Sequence, residues 1–354
     1  MKQPELTGKV QTVLGPINPD SLGVSLMHEH LFIDMSFLFM EPDNPDEKKL
    51  AREPVQLSNL YWVKKHPFNN LDNLVPLKVE EVIREVMLFK ALGGNAITEV
   101  TPKGGLGRNP QKFARVARET GINVIMGTGF YMGALHPPEL SGMTEQEITK
   151  ELVKELTVGI GDTGICAGII GEIGCSRPLD EKEKKVLRCC AVAQGMTGAA
   201  IYLHPSPGND LVLENIRILD EAGADLSRVI VGHIDIQDFD TPTCHKIMDM
   251  GCYIGFDSFG LEGFMQTPDD GTLIEPNDMK RVDRIINFIN DGYLNHIILS
   301  SDTSTKERFA SYGGVGFGHI VRDIVPILRI KGLSNEQIDT LLIENPKRAL
   351  AFTL

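Results

Sequence analysis

A chain of 354 residues with 42 % hydrophobic and 23 % charged residues has the makeup of a globular protein with a sizeable core, which excludes disorder, collagen or coiled coil as its main state. Its 48 Asp and Glu against 35 Lys and Arg give a formal net charge of −13, which argues against nucleic acid or an anionic membrane as a partner, because phosphate binding needs a basic surface. No run of 18 apolar residues predicts a membrane span, and residues 1–13 lack a secretory pattern.

In chain order, the first predicted strand is the apolar run at 24–27. A segment rich in Pro and charge follows at about 34–76, containing Trp62 and Phe68, and reads as an elaborated loop. A helix is predicted at 78–92, with Val82, Ile83, Val86 and Phe89 at helical spacing before Gly93-Gly94. Strand 95–100, helix 109–119 and strands 123–127 and 168–172 come next. Helix 180–194 opens on an Asp with Glu183 three residues on. Strand 199–204, helix 210–222, strands 228–233 and 252–257, helix 277–290 and strand 296–301 continue the pattern. Helices at 319–330 and 335–343 close it. Several strands are apolar almost throughout, as parallel strands buried on both faces are. Eight strands alternating with helices, with no linker between them, predict a single α/β domain over 1–354, a (β/α)8 TIM barrel. An open doubly wound sheet is the alternative. The six cysteines (Cys166, Cys175, Cys189, Cys190, Cys244 and Cys252) form no CxxC pair and read as reduced, buried thiols of a cytoplasmic protein.

Barrel enzymes carry their chemistry at the C-terminal ends of the strands. The first strand ends in His28-Glu29-His30, where two imidazoles at i and i+2 project to the same side. The fourth ends at Glu172, the fifth at His204, the sixth at His233, and the eighth leads into Asp302. A lone histidine or carboxylate at such a place is usually structural. Six at one rim would be buried together at a large desolvation cost unless they hold a cation. Four imidazoles and two carboxylates suit two borderline divalent ions, with zinc the first choice and Mn, Co or Fe possible alternatives; Glu172 is the natural bridge.

These residues sit in segments that resemble the phosphotriesterase-like branch of the amidohydrolase superfamily: GKVQTVLG (8–15), MHEHL (27–31), GTGFY (127–131), GEIG (171–174), AGADLSR (222–228), GHID (232–235) and IENPKR (343–348). The resemblance implies a binuclear metal centre in which His28, His30 and Asp302 hold the more buried ion and His204 and His233 the more exposed one. It implies a metal-bridging hydroxide as nucleophile, with Asp302 as the catalytic residue that orients it and takes its proton. Many members bridge with a carbamylated lysine where this chain has Glu172. Where organophosphate hydrolases of the family have a proton-relaying His and lactonases an Arg, this chain has Ser258. The segments YWVKKHP, GEIGCS and YGGVGFGHI resemble the animal branch of the family, which implies an N-acyl amide of a small acidic amine, N-acetyltaurine-like, as substrate. A lactonase, a phosphotriesterase or a silent binding protein are the alternatives.

Tyr131, Arg177 and Ser258 are the candidate substrate-binding residues: Tyr131 to polarise a carbonyl, and Arg177 or the glycine-rich loop 313–318 to receive an anionic end. His136 reads as a loop residue, and Asp235 and Asp257 as residues that orient strand-end neighbours. A nucleotide-loop reading of 313–318 fails because no strand directly precedes it. The expected partner is a small molecule, with a homodimer possible.

Overall fold

The computed structural model describes residues 6–237, 239–266 and 272–353. Eight parallel strands lie side by side in sequence order: β1 (Ser25–Glu29), β2 (Ala96–Glu99), β3 (Asn123–Thr128), β4 (Ile169–Gly174), β5 (Ile201–His204), β6 (Val229–Val231), β7 (Tyr253–Phe256) and β8 (Ile297–Leu299). The sheet curls until its edges meet. The His28 N–H in β1 donates to Ser300 Oγ just past β8 at 2.9 Å, and the Asp302 N–H donates to the His28 carbonyl at 3.2 Å. This is the predicted (β/α)8 barrel.

Alternation along the strands sorts their side chains into two apolar clusters. Ala96, Ile125, Ile169, Tyr202, Ile230 and Ile298 belong to one, which fills the barrel. Leu26, Ile97, Val124, Leu203, Ile254 and Leu299 belong to the other, between strands and helices. That outer layer comprises α1 (Val79–Ala91), α2 (Pro110–Thr120), α3 (Glu145–Thr157), α4 (Glu181–Thr197), α5 (Asn209–Glu221), α6 (Thr241–Asp249), α7 (Asp278–Asn290) and α8 (Val325–Ile330). Helices α3 and α6 go beyond the sequence expectation. The first is nucleated by a Thr144–Glu147 capping box and buries Ile148, Leu152 and Leu156 on one face. The two closing helices are also less regular than expected. Each opens or continues through a π-type turn, Ile320–Ile324 and Thr340–Glu344, followed at once by Pro326 or Pro346. A proline removes an N–H and pushes the carbonyl four residues back outward, which widens the turn before it.

The segment 34–76 forms a folded roof with short helices Pro45–Leu50, Leu60–Lys65 and Leu71–Leu74. It is pinned to the chain after β8 by Asp72–Lys306 (2.6 Å), by the Glu307 N–H to Asn73 Oδ1 (2.9 Å) and by Lys64 Nζ to the Gly313 carbonyl (2.9 Å). From the loop after β7 rises a hairpin, Gly263–Gln266 with Thr272–Glu275, which periodicity did not indicate. No helix among the described residues is long and apolar enough to cross a membrane.

Candidate metal centre

The strand ends bring all six predicted ligands to one point at the mouth of the barrel. His28 Nε2 lies 3.8 Å from Glu172 Oε1 and 3.6 Å from Asp302 Oδ1. His30 Nε2 lies 3.4 Å and 3.3 Å from the same two oxygens. The other oxygen of Glu172 faces the far side, 2.8 Å from His204 Nδ1 and 3.7 Å from His233 Nε2. Two donor groups therefore share Glu172: His28, His30 and Glu172 on one side, and Glu172, His204 and His233 on the other. A third group joins His28, His233 and Asp302. Glu172 is 3 % exposed and His28 is fully enclosed, whereas Asp302 is 22 % exposed, so the mouth opens beside Asp302.

A layer of residues behind the cluster holds the rings of His233 and His30 and the turn that carries Asp302. Asp257 accepts from His233 Nδ1 at 2.9 Å, from the His233 N–H at 3.0 Å and from the Tyr202 hydroxyl at 2.7 Å. His30 Nδ1 meets Thr101 Oγ1 at 2.8 Å, and the Thr101 hydroxyl donates to Glu99. Glu29 points away from its histidine neighbours and accepts from the N–H groups of Ser301 (2.8 Å) and Thr303 (2.9 Å), gripping the turn that carries Asp302. Asp302 (φ 47°) and His233 (φ 55°) both adopt left-handed backbone, unusual for residues with a Cβ and common where a surrounding network holds a functional side chain.

The electrostatics show what the cluster lacks. Burial opposes charge on His30, yet the Asp302 and Glu172 carboxylates raise it to about 9. Burial is likewise outweighed at His233, which Asp257 and Glu172 push well above its ordinary value. His204 is lowered by burial and by the neighbouring His233 charge. Glu172 and Asp302 resist burial and are held below the usual carboxylate range by the imidazoles around them. The carboxylates thus draw positive charge into the cluster, while both buried ring nitrogens of His28 have no hydrogen-bond partner. Two donors each ~2.1 Å from a shared ion stand about 3.0–3.5 Å apart, close to the His–carboxylate separations here. Imidazole nitrogen and carboxylate oxygen form a donor set for Zn, Mn, Co or Fe. The residues fit a divalent cation on both sides of Glu172.

Of the three substrate candidates, the structure brings Tyr131 to the cluster. Its hydroxyl is 3.4 Å from His204 Nδ1, and its ring meets that imidazole edge-on. Burial and the nearby Glu172 and Asp302 charges keep the phenol protonated. The loop residue His136 supports it, donating from Nε2 to the Tyr131 carbonyl at 2.7 Å. Ser258 sits one step back, buried, with its N–H on Asp235 Oδ2 (3.1 Å) and its Oγ 3.4 Å from Asp257 Oδ1. Arg177 is exposed in the turn between β4 and α4, and among the described residues nothing holds its guanidinium. In the loop 313–318, the N–H groups of Gly313, Gly314 and Gly316 bond to the carbonyls of Ala310, Phe309 and Arg308. Its glycines answer to packing: a Cβ on Gly314 would lie 2.2 Å from the Arg308 backbone.

Glu29, Glu99, Thr101 and Tyr202 carry out this support unannounced by the sequence pattern. Their one visible trace is a polar group inside an apolar strand.

The whole chain also resembles characterised proteins. The family model "Phosphotriesterase family" matches residues 8–350. N-acetyltaurine hydrolase of Xenopus tropicalis is 40 % identical over 348 residues, spanning 98 % of this chain and 99 % of its own. The human protein of that name is 39 % identical over 350 residues, with the same coverage. A resiniferatoxin-binding protein from Rhodobacter sphaeroides superposes with a TM-score of 0.92 at 32 % identity, covering 97 % of this chain and 95 % of that one. The chain belongs to the phosphotriesterase family and is a hydrolase of that family.

Proposed function

We propose that this hydrolase uses two divalent metal ions, zinc first among the candidates, to cleave an N-acyl amide of a small acidic amine such as N-acetyltaurine. The observation that carries the metal reading is Glu172, shared between two histidine pairs, with the enclosed His28 Nε2 facing it without a hydrogen-bond partner. The substrate reading rests on relatives named N-acetyltaurine hydrolase that align along nearly the whole chain. Free, largely buried cysteines support a reducing compartment, the cytoplasm.

His28, His30 and Glu172 would hold one ion, with Asp302 beside them, and His204, His233 and the second oxygen of Glu172 the other. When bound, the two ions supply a water of lowered pKa and polarise the scissile carbonyl. The chain's own residues do the rest. Asp302, the more open of the two carboxylates and held ionised by its histidine neighbours, takes the proton of the attacking water and returns it to the departing amine nitrogen. Tyr131 keeps its proton and donates it as a hydrogen bond to the acyl oxygen as negative charge develops there. Asp257 and Glu29 hold His233 and the Asp302 turn in place, so that these groups need no rearrangement during the reaction.

Elemental analysis of dialysed protein should find two metals per chain. A panel of N-acetyltaurine, N-acetyl amino acids, lactones and aryl phosphotriesters should give the highest kcat/KM for an acidic N-acyl amide. A lactone or phosphotriester that outperforms it tenfold overturns the substrate reading, and one metal or none overturns the metal reading.

A further inference from the structure

On each side of the cluster one histidine is hydrogen-bonded back toward a buried carboxylate, and Asp257 also stands 3.5 Å from His28 Nδ1. Behind His233 the link to Asp257 is direct, at 2.9 Å. Behind His30 a hydroxyl intervenes. Glu99 and Thr101 lie at the end of β2, beside β1, with Glu99 in register with Glu29. All three residues of the chain Glu99–Thr101–His30 are at least 97 % buried. Glu99 Oε1 accepts from the Leu31 N–H at 3.3 Å and from the Thr101 hydroxyl.

A hydroxyl has a single hydrogen. With Glu99 ionised, Thr101 gives its hydrogen to Glu99, and the 2.8 Å contact to His30 is then donated by His30 Nδ1, which leaves Nε2 to face Glu172 and Asp302. We infer that Glu99 is a positioning residue of the metal centre, acting through Thr101 to fix the tautomer and ring orientation in which His30 binds metal. A carboxylate behind a ligating histidine sets both properties, and its loss weakens metal binding by about 10–100-fold. This inference rests on the metal reading proposed above. Direct measurement of metal affinity in the wild type tests that reading separately.

The experiment is a chelator competition for Zn2+ on wild type, Thr101→Val, Thr101→Ser and Glu99→Gln, with thermal unfolding of the metal-free proteins as a check on the fold. Thr101→Val, nearly isosteric but unable to relay the bond, should raise the zinc Kd by about 10–100-fold. Thr101→Ser should restore it to within about 3-fold, because the hydroxyl and not the methyl carries the effect. Glu99→Gln should move the Kd in the direction of Thr101→Val. In zinc-loaded, 15N-histidine-labelled protein, the His30 Nδ1–H should exchange slowly in wild type and faster in Thr101→Val, where no oxygen accepts it. A Thr101→Val affinity equal to wild type, or a Thr101→Ser as weak as Thr101→Val, would overturn the relay. A wild type that binds no zinc would overturn the metal reading together with it.

Discussion

Two of the buried charged clusters in this barrel are built in opposite ways. Behind β3, Arg108 clamps Glu155 with both terminal guanidinium nitrogens, at 2.8 and 3.1 Å, and also reaches the Gly127 carbonyl at 3.2 Å. The Thr128 hydroxyl donates to the same carboxylate, and Lys103 Nζ lies 3.4 Å away. Such a bidentate pair is complete in itself. At the mouth of the barrel, His28 and His30 face Glu172 and Asp302 across 3.3–3.8 Å without closing hydrogen bonds to them. The first cluster closes a gap between α3 and the sheet. The second keeps a gap open on its His28–His30 side among donors aimed at a common centre, the geometry of a site that receives a cation, while on the far side His204 Nδ1 closes to 2.8 Å on both Glu172 Oε2 and His233 Nε2.

The two clusters should part most widely on metal removal. A chelator should abolish turnover and lower the Tm, and added zinc or manganese should restore both, because the mouth cluster depends on a cation that the Arg108–Glu155 cluster does not need. Glu172 carries its charge without carbamylation, so reconstitution should be indifferent to bicarbonate. Turnover that persists after verified metal removal would sink the proposed centre. Next comes Asp302→Asn, which should fold and retain much of its metal while kcat falls by about 10²–10⁴, the scale of lost general acid–base help. A near wild-type rate would reduce Asp302 to a passive ligand.

Glu155→Gln tests the Arg108 cluster. It strands the buried Arg108 and should destabilise the fold by about 3–5 kcal/mol in urea unfolding, with kcat at saturating metal unchanged. Burial works to raise the Glu155 pKa, but Arg108, Thr128 and Lys103 outweigh it and hold the carboxyl below its ordinary value. A depressed folded pKa stabilises above the unfolded value of about 4.3, and that contribution disappears as pH falls through the folded value. The gap in stability between wild type and Glu155→Gln should therefore be full at pH 7 and narrow in acid. A gap that stays constant with pH would show that Glu155 is not ionised in the fold.

What was legible in the sequence follows the same division. The six residues at the mouth each end or follow an apolar strand, so strand patterning and barrel topology suffice to bring them together. The residues that act through others were hidden, because their partners are distant in sequence: His30 meets Thr101 71 positions away, and Glu29 meets Thr303 274 positions away. Strand register alone discloses those pairs. Arg177 follows GEIGCS directly, but it lies exposed in the turn between β4 and α4. The capping box of α3 was in plain view at Thr144 and Glu147, whereas α6 has nine residues, too few for a clear helical period.

The smallest effect should come from Tyr131→Phe. The phenol is the uncharged donor at the mouth, 3.4 Å from His204 and kept protonated by burial and two carboxylates. Phenylalanine keeps the edge-on ring contact with His204 and removes the hydroxyl alone. If that hydroxyl bonds to the acyl oxygen chiefly as charge builds on it, kcat and kcat/KM should fall together by about 3–15-fold, the scale of one hydrogen bond of about 0.7–1.5 kcal/mol, while KM and metal content stay constant. A rise in KM at constant kcat would instead mean that Tyr131 binds substrate and transition state equally. Loss of metal would mean that its hydroxyl serves His204, which would move Tyr131 from the substrate to the supporting layer behind the ligands.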